Sequence, residues 1–235
     1  MPNEVHTSSR WYYYGLLVSL LAVFAISPFF DQSTFVDLLL SFFFLITALF
    51  SILVISNSKP LMGVAAILAI PLVLRMVNSL FSDTYTIPSP ISELASTLFM
   101  ALIVGVVLRD LFTSKKVDEA LIIGAVSLYF LLGLLWTFIY LSIESFSPGS
   151  FNYNYRQPLE AKPDSVGLLY YSLVTLTTLG YGDITPLSST ARAMATMQAI
   201  VGQLYLTVLV ARLVGMHIAQ KSGSSTARTE ASEQH

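Results

Sequence analysis

The sequence predicts an all-α membrane protein: six transmembrane helices, with a short re-entrant helix between the fifth and the sixth. Three observations lead there. Of 235 residues, 54% are hydrophobic and only 11% charged, against roughly 25% charged in soluble domains. The apolar residues gather in blocks of about 20, the length that crosses a bilayer as a helix. One further apolar stretch, Val166 to Thr177, is too short: roughly 12 residues at 1.5 Å each cover about 18 Å of a 30 Å core. It must therefore enter and leave the membrane on one side.

Taken in order, Met1 to Arg10 is short and polar, and the apolar block after it lacks a small-residue cleavage site. It is expected to remain as a span and not to be removed as a signal peptide. Length, turn residues and charge breaks place spans at Trp11 to Phe30, Phe35 to Ile55, Leu61 to Phe81, Ile91 to Phe112, Ala120 to Ile143 and Ala191 to Ile218. Four of the breaks are compact, and two of them contain proline: Lys59-Pro60, and Pro88 with Pro90. The fifth runs from Glu144 to Pro186, polar and turn-rich at first and then carrying the re-entrant stretch. From Lys221 to His235 the chain is Ser, Thr, Gly and charge without apolar periodicity, which predicts a disordered tail. The expected organisation is residues 1–10 as a cytoplasmic N-terminus, 11–112 as a four-helix peripheral domain, 113–119 as a cytoplasmic linker, 120–220 as a second membrane domain, and 221–235 as the cytoplasmic tail.

Positive charge sets the orientation. With the N-terminus inside, Arg10, Lys59, Arg109, Lys115, Lys116, Lys221 and Arg228 are cytoplasmic, against Arg156, Lys162 and Arg192 outside. That bias predicts both termini in the cytoplasm of a multi-pass protein of the cell membrane, bathed in lipid. The aromatic run Trp11 to Tyr14 suits a headgroup boundary. A net charge of −2 lacks the basic face of a nucleic-acid binder, so no nucleic-acid partner is expected. The absence of cysteine removes disulfides, thiolate metal sites and cysteine nucleophiles.

The re-entrant stretch ends in Thr178-Leu179-Gly180-Tyr181-Gly182-Asp183. Non-helical backbone at membrane depth is tolerated only where protein buries it or a water-filled path solvates it. Glycines at alternate positions allow successive carbonyls to turn to one side, and such a row of oxygens can replace the water shell of a dehydrated cation. One chain supplies only part of a ring, so the site requires assembly about a symmetry axis. A bare Gly-Tyr-Gly would read as an outer-loop turn; the apolar stretch before it and the complete span after it argue otherwise.

The run from Tyr170 to Asp183 resembles the pore helix and selectivity filter of potassium channels, with Leu179 where the familiar filter has Val. The resemblance is specific over Ser165 to Gly215 and elsewhere extends only to helix number and order, as in a six-helix channel subunit. It implies a homotetramer passing K+ through carbonyls of Thr178, Leu179, Gly180 and Tyr181, with Gly182 completing the filter and the Thr178 hydroxyl at its inner end. It makes residues 120–220 a pore domain of outer helix, pore helix, filter and inner helix. Tyr170, Tyr171, Val174 and Asp183 are then filter supports: Tyr181 is expected to brace the filter against the pore helix, and Asp183 to return to Tyr170 thirteen residues earlier. Val174 stands where some members carry glutamate, so no carboxylate pair is expected behind the filter. Gly202 is placed as an inner-helix bend, with close helix packing as the alternative. Leu206, Val208, Leu209 and Leu213 could narrow the inner mouth.

A strong voltage sensor requires several charges in the field, yet the fourth span has only Arg109, at its inner end. Arg75 lies within the third span, near the kink expected at Pro71, and is expected to snorkel or pair with Asp37 or Glu93. An enzyme is not expected, nor any cofactor beyond the permeant ion: His6, His217 and His235 all fall at or beyond inner ends of spans, and no Ser, His and carboxylate constellation is readable. The remaining rivals are a non-selective cation channel and a potassium transporter subunit. Against the transporter, the loop occurs once and no repeat is visible.

Overall fold

The computed structural model describes residues 10–26, 63–64, 67, 70, 90–114, 117–153 and 165–233. Among the described residues, five bounded helices and a small ribbon follow in the order α1 (Arg10–Ile26), α2 (Pro90–Thr113), α3 (Glu119–Phe146), β1 (Phe151–Tyr153), α4 (Ser165–Leu176), β2 (Ile184–Pro186) and α5 (Ser189–Glu233). Three of them, α2, α3 and α5 as far as Met216, are long and apolar enough to cross a membrane. The architecture is helical, as expected, apart from the ribbon. The second expected span lies outside the described residues, as do Asp37, Pro71 and Arg75. Of the third, only Gly63, Val64, Ile67 and Ile70 are described, all helical and exposed.

The bundle is organised on α3. Its N-terminus is fixed by Asp118, whose carboxylate accepts from the Leu121 N–H at 2.9 Å, satisfying one of the orphan donors that open every helix. Apolar residues run around the whole of α3, which buries Leu128, Leu131, Leu134, Phe138 and Tyr140 almost completely while Ile122 and Val126 stay exposed. Five residues separate α2 from α3, and the two pack as an antiparallel hairpin: Thr97 meets Ser142 at 3.0 Å at one end, and Leu111 lies against Gly124 at the other. Helix α2 turns Phe99, Met100, Ile103, Val107 and Leu111 inward at three- and four-residue steps. Helix α1 adds Tyr13, Leu16 and Leu20, with the Tyr13 phenol donating to Asp110 of α2.

Two differences from the sequence expectation concern length and pairing. The ribbon pairs Phe151 with Pro186, Asn152 with Thr185 and Tyr153 with Ile184, antiparallel. It closes the loop that carries α4. Helix α5 does not stop at Ile218 but continues to Glu233, through the tail expected to be disordered. Extending an existing helix adds a hydrogen bond per residue without the cost of a new nucleus, so a polar tail can follow a long apolar helix even where nothing calls for it.

Candidate functional site

Helix α4 is 12 residues long and seats the loop that follows it. Its last carbonyls, free of helical partners, take up the loop's N–H groups. Val174 accepts from Leu179 at 2.9 Å and from Gly180 at 3.4 Å, while Thr178 donates to Thr175 at 3.0 Å. Val174 therefore serves the loop through its backbone. The loop then takes left-handed φ at every second residue: Thr178 (59°), Gly180 (60°) and Gly182 (77°). Gly149 (83°) is the one other such residue among those described. For a β-branched threonine this conformation is an outlier with a cost of about 1–3 kcal/mol, tolerated where surrounding structure imposes it.

Asp183 holds the loop's far end. One carboxylate oxygen accepts from the Tyr170 phenol at 2.6 Å, and the other accepts from the Ile184 N–H at 2.9 Å, where β2 begins. The thirteen-residue relation between Tyr170 and Asp183 is thus a direct hydrogen bond. Tyr171 points elsewhere, into an aromatic cluster with Tyr140 (ring centroids 5.1 Å apart) and Phe151 (5.4 Å) beneath the ribbon. Tyr181 does not brace the loop against its own α4: it is 67% exposed, and Leu179 is 56% exposed.

Behind α4 lies a polar network that sequence reasoning missed. Gln198 of α5 donates to the Ser172 carbonyl (2.9 Å) and hydroxyl (2.8 Å) and accepts from the Tyr140 phenol at 2.5 Å. Ser172 donates in turn to the Gly133 carbonyl at 2.7 Å. The available signal was a serine and a glutamine within otherwise apolar helices, where each polar group must find an internal partner.

Residues 128–218 match a family described as ion channels. The matched segment is similar to that of ion channels. The match covers α3 from Leu128 onward, α4, the loop, and α5 as far as Ile218, and it accords with the expectation of a non-enzyme. No curated protein and no solved structure matches the chain.

In this segment α5 buries one narrow stripe, Ala191, Gln198, Gly202 and Tyr205, against α3 and α4. It runs as one continuous helix through Gly202. A Cβ at Gly202 would lie 2.7 Å from the Leu176 carbonyl oxygen, and a backbone atom cannot rotate away. Of the two readings of Gly202, the geometry gives close packing: the glycine lets α5 touch the end of α4, where the Tyr129 phenol also donates to Leu176 O at 3.3 Å. Gly202→Ala is expected to destabilise the protein by about 1–3 kcal/mol through overpacking, outweighing the gain of up to about 1 kcal/mol in helix propensity. Thermal unfolding in detergent checks the sign.

The inner-mouth candidates divide. Leu206 and Val208 are exposed. Leu209 and Leu213 instead pack on the core and line a cleft with Leu111, Phe112, Leu121 and Tyr205, so they face the chain's own helices; a single sequence shows that they are apolar but not how the helix is rotated. One turn away, Arg212 donates to the carbonyls of Phe112 and Ser114, both at 2.9 Å, and its guanidinium lies 4.8 Å from the Phe112 ring centre. It therefore caps the C-terminus of α2, where a cation is favoured by the helix dipole.

Proposed function

We propose that the chain is one subunit of a homotetrameric, potassium-selective channel giving passive K+ permeation, with the filter at Thr178 to Gly182. The observation that carries this reading is the left-handed backbone at alternate residues of a loop seated on a helix too short to span. Such alternation can bring successive carbonyls to one side, and four copies about an axis would enclose a dehydrated ion. Exposed Leu179 and Tyr181 then find their cover on neighbouring subunits. The intact Gly180-Tyr181-Gly182 favours potassium over a non-selective pore, and the single loop favours a channel over a transporter subunit. Both termini are assigned to the cytoplasm of the cell membrane.

With α5 innermost in the ring, the face opposite Gln198, Gly202 and Tyr205 is turned to the axis. At that level it carries Gln203, Thr207, Val210 and Val214, all exposed, and these take the lining role in place of Leu209 and Leu213. The reversal potential in mixed potassium and sodium tests the whole reading. A value following the potassium gradient is expected, and a value insensitive to exchange of the two ions overturns selectivity.

Gating by voltage is expected to be weak. Helix α2 contains one basic residue, Arg109, exposed near its end, while a charge must cross the membrane to contribute about 2.3 kcal/mol per 100 mV. Open probability measured in bilayers should vary shallowly with potential; a steep curve would place gating charges in the residues before α2.

A further inference from the structure

We infer that Gln198 is a positioning residue of the filter, tying the inner helix to α4 so that the state of α5 sets how long the filter remains conductive. The inference rests on the reading of Thr178 to Gly182 as a selective filter.

The donors and acceptors of the network permit one arrangement. Gly133 O can only accept, and it takes the Ser172 hydroxyl hydrogen, so Ser172 Oγ must accept from its other neighbour. That neighbour is Gln198 Nε2, which also faces the Ser172 carbonyl, a second obligate acceptor. The amide is thereby oriented, and its oxygen is left for the Tyr140 phenol. Thr137 adds a second donor to Gly133 O at 2.9 Å. Gln198, Ser172 and Tyr140 are fully buried, so no member can exchange its partner for water, and a half-satisfied network is worse than an apolar one. Three helices are locked at a single level.

That level matters because Ser172 lies two residues before Val174, whose carbonyl holds the N–H groups of Leu179 and Gly180. A shift of α5 at Gln198 therefore drags the turn of α4 on which the filter is seated. An apolar side chain at 198 would let α4 and α5 slip independently.

The test uses the full chain reconstituted in planar bilayers. Gln198→Met keeps the length and removes both hydrogen-bonding ends. Tyr140→Phe removes one hydrogen bond and Ser172→Ala removes two, each with little change of packing, and both serve if Gln198→Met does not assemble. Each variant is expected to hasten the decay of potassium current about tenfold, to restore most of the conductive lifetime when external potassium is raised, and to alter the rubidium-to-potassium permeability ratio. The pair Gln198→Met with Ser172→Ala should fall short of the summed effects. A role in folding alone would lower the melting temperature without moving the permeability ratio or the potassium dependence, and that pattern overturns the inference, as does unaltered decay in all three variants. A wild type without selective flux would overturn the proposed function and this inference together; a selective wild type with insensitive variants overturns the inference alone.

Discussion

Gly180→Ala is expected to reduce potassium flux into liposomes by about three orders of magnitude while leaving assembly intact. Gly180 has φ +60°, where an L side chain meets its own carbonyl at a cost of about 1–2 kcal/mol. No atom of the chain lies within 4 Å of the added Cβ, so the penalty is conformational and not a clash. The proposed ring of four would pay it four times. About 4 kcal/mol or more per tetramer corresponds to roughly a thousandfold loss of the fully left-handed ring, at 1.4 kcal/mol per factor of ten. Gly149 is the internal control, since it shares the conformation at φ +83° but sits in the turn after α3, away from the filter. Gly149→Ala should cost local stability and preserve flux. Wild-type flux from Gly180→Ala would show that the conducting backbone does not need the left-handed residue at 180.

The second large effect is expected at the junction of Tyr170 and Asp183. A phenol bonded to a carboxylate contributes about 1.5–3 kcal/mol, and here the same carboxylate also holds the Ile184 N–H. Tyr170→Phe removes only the first bond, so current decay during sustained activity should quicken by roughly 10- to 150-fold while assembly is unchanged. Asp183→Asn should weaken both bonds and act more strongly. The double variant should then resemble Asp183→Asn alone, because residues that share one interaction are not additive. Effects that simply sum would mean that the 2.6 Å contact carries no weight in the conductive state.

Much of this arrangement was legible because membranes impose lengths. Helices α2 and α3 begin and end within three residues of their expected bounds, and α4 was marked by being too short. The loop after α4 announced itself through glycines at 180 and 182, though nothing in a threonine predicts left-handed φ at 178. What stayed hidden depends on rotation and closure. Leu209 and Leu213 are indistinguishable in sequence from residues facing an axis. The ribbon joins three-residue strands thirty residues apart, too short for any periodicity. Gln198, Ser172 and Tyr140 acquire meaning only when three helices meet, and nothing in the sequence ties Arg212 to the end of α2.

The contact of Arg212 with Phe112 and Ser114, together with the five-residue connection between α2 and α3, has a mechanical corollary. The load path from α2 to the middle of α5 is closed within one chain, running through two carbonyl oxygens and one guanidinium. In the proposed tetramer, a push on α2 from the surrounding bilayer would reach its own subunit's α5 first, and cooperation among subunits would arise only where the α5 helices meet.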